Sequence, residues 1–105
     1  MNTRVLVVKV IIFRDAAKDL DKMQPDIRNR IINRLDELAE NPLLGGVLKG
    51  YSLTVIGRRI PLRRVKVGDY RIVYAYSIPE NTVYVLAIAH RRRVYKIVRK
   101  RLGKR

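Results

Sequence analysis

Three cations bracket one two-residue turn in this chain. Arg64 and Lys66 alternate with Val65 and Val67, Gly68-Asp69 follows, and Arg71 then alternates with Tyr70, Ile72 and Tyr74. Period-two patterning on both sides of a Gly-Asp pair predicts a β-hairpin, because Gly supplies the positive φ that a primed turn requires. The hairpin brings Arg64, Lys66 and Arg71 close together. Guanidinium and ammonium groups held on strands suit the gripping of a phosphodiester, with Arg able to bind it bidentately.

The elements that must carry this cluster read as follows. Val5 to Phe13 is apolar on both alternations except at Lys9, which predicts a buried, central strand. Asp15 is placed to N-cap a short helix with Ala16, Leu20 and Met23 at helical spacing. Pro25 then opens a second helix over 26–40, whose apolar stripe is Ile27, Ile31, Leu35, Leu38 and Ala39, and Asn41-Pro42 stops it. Arg28, Arg30 and Arg34 on that helix read as a solvated face, with Asp26 and Glu37 within a turn. Leu43 to Gly50 reads as a Gly-rich connection, and within 51–59 the run Tyr51 to Val55 reads as a short strand ending at Ile56-Gly57 or as an ordered loop. Three antiparallel strands follow, over 60–67, 70–77 and 82–89, with Pro79-Glu80-Asn81 as the second turn and Pro61 marking an edge or a bulge. A basic amphipathic helix over about 91–102, with Val94, Ile97, Val98 and Leu102 on one side, ends the chain. The fold class expected is α+β in one domain: a small antiparallel sheet, two N-terminal helices packed on it and the basic C-terminal helix.

Charge says where the partner binds. The 105 residues carry a net charge of +15. Residues 1–53 hold 9 Lys+Arg against 7 Asp+Glu, whereas 54–105 hold 15 against 2, so the second half is the binding half. An excess of this size points to a polyanion, with nucleic acid ahead of an acidic protein or an anionic membrane surface. There is no cysteine, which excludes disulfides and thiol chemistry, and a single histidine argues against a zinc site. No cofactor or metal is expected. The longest apolar run, Val5 to Phe13, is nine residues with Lys9 inside it, well short of the roughly 20 needed to span a bilayer, and it reads as a strand rather than a signal peptide. A reducing cytoplasm fits this composition.

The order strand, helix pair, meander, with RVKVGDYRIVY in the hairpin and HRRRVY near the end, resembles the RelE/ParE superfamily of toxins from type II toxin–antitoxin pairs. Ala16 and Leu20, Asn41-Pro42, Leu48-Lys49-Gly50 and Val94-Tyr95 add to the resemblance, which spans nearly the whole chain. It implies a toxin wrapped by a protein antitoxin, here RelB-like with an acidic amphipathic helix. One branch cleaves mRNA, typically on the ribosome; the ParE branch poisons DNA gyrase on the same fold. The nuclease branch uses basic residues before the hairpin, an Arg after it, an Arg after the last strand and often a C-terminal Tyr. Those positions are matched here by Arg64 and Lys66, Arg71, Arg91 and Tyr95, which favours the nuclease. Two departures stand out: the segment from Gly50 to Ile60 is longer than in compact members, and a helix continues past Tyr95.

RNA cleavage by its own 2′-OH requires a proton removed from that hydroxyl, a proton delivered to the leaving oxygen, and stabilisation of the charge gathering on phosphorus. The basic half offers Asp69, Glu80 and His90 and no carboxylate–histidine pair, so the expectation is an electrostatic site in which Arg71, first, and Arg91 clamp the phosphate while Lys66 or Tyr95 handles protons. His90 is an accessory candidate. Arg63, Arg92, Arg93, Lys96 and Lys100 are expected to hold RNA or ribosome backbone through charge. The plainer alternatives are that Arg71 is one more outward cation of an RNA-binding face and that Tyr95 packs through its ring. A non-catalytic gyrase inhibitor or basic RNA-binding module is the alternative function.

Overall fold

The computed structural model describes residues 7–103. Its elements run β1 (Lys9–Ile12), α1 (Arg14–Asp21), α2 (Pro25–Glu40), β2 (Gly46–Val55), β3 (Arg58–Val67), β4 (Tyr70–Ser77), β5 (Thr82–His90) and α3 (Val94–Gly103). The five strands form one sheet in the order β1-β5-β4-β3-β2, antiparallel throughout except for the parallel pair β1 and β5.

Helices cover both faces, which is why β4 and β5 are buried along nearly their whole length. On one face Ile31, Leu35 and Leu38 of α2 and Ala16 of α1 pack against Val65, Val67, Ile72, Tyr74, Val83 and Val85. On the other, Val94 and Val98 of α3 pack with Leu62, Val73, Leu86, Ala87 and Ala89. Each fully buried Val, Leu or Ile contributes about 1.5–3 kcal/mol by leaving water. Leu86 and Ala87 both join the α3 side because the β4–β5 register shifts at Val73/Tyr74, where a bulge inserts the extra residue.

Three local expectations change. The first strand is an edge strand, not a central one, because among the described residues β1 pairs only with β5. Val8, Val10 and Ile12 feed the α2 side of the core, Ile11 points outward, and Val5 and Leu6 lie outside the described residues. The N-cap of α1 is Phe13 rather than Asp15: its N–H is paired to Val85 O at 3.0 Å, which holds it extended at φ −61°, ψ 152°, and the helix starts two residues earlier. Asp15 sits in the first turn instead, where a carboxylate complements the helix dipole. Third, β2 begins at Gly46, so the connection after α2 is shorter than its glycines suggest. Pro61 sits as expected, in β3 opposite Ser52, at the end of an irregular stretch of the β2–β3 ladder and just outside the β3–β4 pairs, where a missing N–H is tolerated.

Two turns aim the hairpins. At Gly68-Asp69 only Gly68 has positive φ, at 58°, and Val67 pairs with Tyr70 across it. At Ile56-Gly57 both residues are positive, at 50° and 72°, the signature of a type I′ turn, and Val55 pairs with Arg58.

Candidate nucleic-acid interface

Strand parity decides which cations meet. On β3, Leu62 faces α3, so Arg64 and Lys66 do too, and both are exposed beyond the helix. Register places Lys66 opposite Arg71 and Arg64 opposite Val73; Arg71 in turn lies opposite Ala89. The small Ala87 and Ala89 on β5 leave room for α3 to cross the sheet here. That crossing delivers Tyr95, in the first turn of α3, onto β3: Arg64 Nη1 donates to the Tyr95 hydroxyl, and its guanidinium carbon lies 5.9 Å from the ring centroid. A helical Tyr95 therefore does reach the strand cations.

Arg91 follows β5 directly. Its N–H donates to Asp69 O at 2.7 Å, tying it to the hairpin tip, while its Nε stands 3.9 Å from the Asp69 carboxylate. Both side chains are more than half exposed, so this loose pair contributes little and leaves the Arg91 guanidinium available.

Arg71 differs from the exposed strand cation expected. It is 9% exposed, and its Nη1 donates to Gly68 O at 3.0 Å and Tyr70 O at 2.8 Å. The guanidinium is spent partly on the carbonyls of its own turn, where it stiffens the tip and puts a fixed positive charge beneath the exposed cations. Arg64, Lys66, Arg71, Arg91 and Tyr95 thus share one end of the sheet, an open surface rather than a cavity.

The remaining candidates divide. Arg63, of opposite parity to Arg64, lies on the α2 side, where its Nη1 donates to Gly45 O at 2.7 Å and braces the loop after α2. That loop is pinned further by Tyr74, whose hydroxyl donates to Pro42 O and accepts from Gly45 N–H, both at 2.8 Å. Burial pushes the Tyr74 phenol above its ordinary pKa, an effect offset in part by the Gly45 N–H and by the charges of Arg63 and Arg34. Gly45 has no alternative: a Cβ would come within 2.6 Å of Arg64 O and 2.7 Å of the Tyr74 hydroxyl. His90 pairs with Tyr70, their rings edge-on at 5.6 Å, and accepts from Arg92 N–H at 3.2 Å. Its ring is on the α2 side with Tyr70, away from the Arg64–Tyr95 contact. Arg92, Arg93 and Lys96 are exposed around the start of α3. Lys100 shares a hollow with Asp15, Asp19 and Arg93 on the α1 flank.

Sequence reasoning missed what docks α3. Because β1 ends at Ile12, opposite Val85, the rest of the β5 edge has no strand partner among the described residues. Asp19 of α1 accepts from Ile88 N–H at 3.1 Å, and Arg101 of α3 donates to Leu86 O at 3.0 Å. The two side chains then close on each other in a two-pronged ion pair of 2.6 and 2.8 Å. The hydrogen bond to Asp19 raises the Arg101 pKa further, with burial opposing it. On the opposite flank of α3, Arg99 donates to the Tyr51 hydroxyl at 3.2 Å. Residues 82 positions apart leave no local sequence signal of such a bond.

A family model for the ParE toxin of type II toxin–antitoxin systems matches residues 10–95. The chain belongs to the RelE/ParE toxin superfamily. Among solved structures the toxin is similar to the archaeal RelE–RelB complex from Pyrococcus horikoshii, at 22% identity and TM-score 0.64 over 82% of this chain and 97% of that one. It is also similar to the intact RelBE complex of E. coli, at 20% identity and TM-score 0.65 over 79% and 95% of the two chains. The RelBE2 complex of Mycobacterium tuberculosis matches at 23% identity and TM-score 0.61 over 81% and 99%. No curated protein matches the sequence. The fold is that of RelE toxins: a mostly antiparallel five-stranded sheet with three helices.

Proposed function

We propose that this toxin is a RelE-type endoribonuclease that cleaves mRNA on the ribosome, in the cytoplasm, and is held inactive by an acidic, RelB-like antitoxin. The observation that carries the reading is the meeting of Arg64 with Tyr95 at the end of the sheet that also carries the exposed Lys66 and Arg91. In this reading the 2′-oxygen attacks the neighbouring phosphorus and expels the 5′-oxygen, leaving a 2′,3′-cyclic phosphate. The Lys66 amine takes the proton of the 2′-OH, and Tyr95 gives its own to the departing 5′-oxygen. Tyr95 accepts a hydrogen bond from Arg64, which leaves its own O–H free to point at the leaving oxygen. Arg64 and Arg91 neutralise the charge that builds on the phosphorane, each donor of this kind being worth about 10²–10³ in rate. Arg71 acts from below, fixing the hairpin and adding to the positive potential. The antitoxin follows from charge, since a surface this basic is silenced by an acidic partner, and from the RelB chains that accompany the similar RelE structures.

The family model that matches is that of ParE, and this favours a second reading: a non-catalytic toxin that arrests gyrase. Single-turnover cleavage of mRNA on programmed ribosomes separates the two. Arg64→Ala and Tyr95→Phe each slow cleavage by about 10²-fold with little change in ribosome affinity if the nuclease reading holds. Equal cleavage by both variants would remove its basis.

A further inference from the structure

The tip of the β2–β3 hairpin holds a residue that its backbone disfavours. Ile56 has φ 50°, yet β-branched residues are genuine outliers in the left-handed region, and the first position of a type I′ turn is one that Asn or Gly fills without strain. No packing compensates, since Ile56 is 78% exposed. A strained apolar side chain presented to solvent on a turn points to a role in contact rather than in folding.

Its surroundings define the contact. Arg58 and Arg59 follow the turn at once, opposite Val55 and Thr54, and successive strand residues point to opposite sides of the ribbon. Both are exposed, and no Asp or Glu occurs between Glu40 and Asp69. The first residues of β3, Arg58 to Pro61, pair only with β2, so the tip reaches past the β3–β4 ladder as a two-stranded arm. Beside it lies a shallow hollow between Arg58, Arg59 and Pro61 on the arm and Ile78 and Pro79 on the β4–β5 turn. Ile78 is 71% exposed, so this hollow has an apolar wall and a cationic rim. An apolar wedge flanked by guanidinium groups matches a nucleic-acid base flanked by phosphates.

We propose that the arm is a second RNA-contacting element, which takes an unstacked nucleotide from a bulge or junction of a folded RNA. Ile56 lies against the base, and Arg58 and Arg59 hold the phosphates on either side. Six residues of strand separate Arg58 from Arg64, roughly 20 Å at strand rise. The arm therefore grips structured RNA at a distance from the bond under attack and orients the toxin on it. This rests on the RNA reading above.

The test uses the full chain and two probes: an RNA hairpin with a single-nucleotide bulge carrying 2-aminopurine beside the bulge, and a single strand of the same composition. Wild type is expected to bind the bulged hairpin more tightly and to raise its fluorescence as the base leaves the stack. Ile56→Asn fits the turn better, so its melting temperature is expected to equal or exceed wild type while hairpin affinity falls about tenfold and the fluorescence change is lost. On the hairpin, Arg58→Gln with Arg59→Gln should lower the log–log salt slope by about 1.8, two phosphate contacts at the duplex value of about 0.9 each. Unchanged hairpin affinity and fluorescence in Ile56→Asn would overturn the proposal, as would weaker hold of an acidic antitoxin with RNA binding intact. Wild type that binds the single strand but not the hairpin sinks the arm alone; binding to neither sinks the RNA reading with it.

Discussion

Asp19→Ala is expected to destabilise the toxin far more than a carboxylate on a short polar helix would suggest. The side chain accepts three hydrogen bonds, one from the Ile88 N–H and two from Arg101. Its removal leaves an orphaned N–H on the β5 edge and strips the carboxylate from Arg101, whose side chain is only 15% exposed in the intact protein. Breaking a buried ion pair by deleting one partner costs about 3–5 kcal/mol, and the residual exposure discounts that to about 2–4 kcal/mol. For a domain of this size each kcal/mol moves the melting temperature by about 4–8 °C, so a fall of about 8–32 °C is expected. Arg101→Ala should cost less, because Asp19 keeps its bond to Ile88. Urea unfolding of wild type, both single variants and the double variant would give the coupling energy, expected at about 1–3 kcal/mol. Hydrogen exchange adds the structural readout: amides of α3 should lose protection in Asp19→Ala ahead of those in β3 and β4. A cost within about 0.5 kcal/mol, as for an ordinary surface residue, would refute the reasoning.

Further outcomes follow from the same contacts. Tyr74→Phe leaves Gly45 N–H and Pro42 O without their partner and should cost about 1–3 kcal/mol by urea unfolding. The raised Tyr74 pKa means its contribution is fully present below the ordinary phenol value near 10 and is lost as pH climbs through the higher folded value, so Tyr74→Phe should flatten the alkaline limb of the stability curve. Gly45→Ala should destabilise by more than about 1 kcal/mol, because the atoms it meets are a backbone carbonyl and a buried ring. Arg71→Ala should cost about 1–3 kcal/mol, two carbonyl bonds to a charged group, so its activity must be compared at a temperature where the variant is folded. Neutralising Arg92, Arg93, Lys96 and Lys100 together should weaken ribosome association, with the loss relieved at low salt and cleavage near normal once bound.

The hairpin at Gly68-Asp69 was legible because alternation and turn chemistry agree there, and α2 was legible because its stripe keeps one period for four turns. The first strand misled: apolar residues on both alternations suggested a central position, but Val8, Val10 and Ile12 serve one core while Phe13 serves the other, and Ile11 is left outside. Arg63 was grouped with the RNA-facing cations although its parity with Val65 and Val67 already assigned it to the α2 side. The burial of Arg71 was not legible, since alternation gives a face and not the path a long side chain takes back to its own turn. Nor were the bonds between Arg64 and Tyr95, 31 residues apart, or Asp19 and Arg101. Both depend on where α3 crosses the sheet, which is set by the small Ala87 and Ala89 beneath Val94 and Val98.

The central claim is that the cations around Arg64 and Tyr95 serve cleavage of RNA by its own 2′-hydroxyl. The most direct measurement adds purified toxin to ribosomes halted on a 5′-labelled mRNA and maps the new ends, with a parallel mRNA carrying a 2′-deoxynucleotide at the cleaved position. The account predicts one or a few discrete cuts in the ribosome-bound message, a 2′,3′-cyclic phosphate on the upstream fragment, and no cut at the deoxy position. An intact message under these conditions, with gyrase arrested by the same preparation, would contradict it.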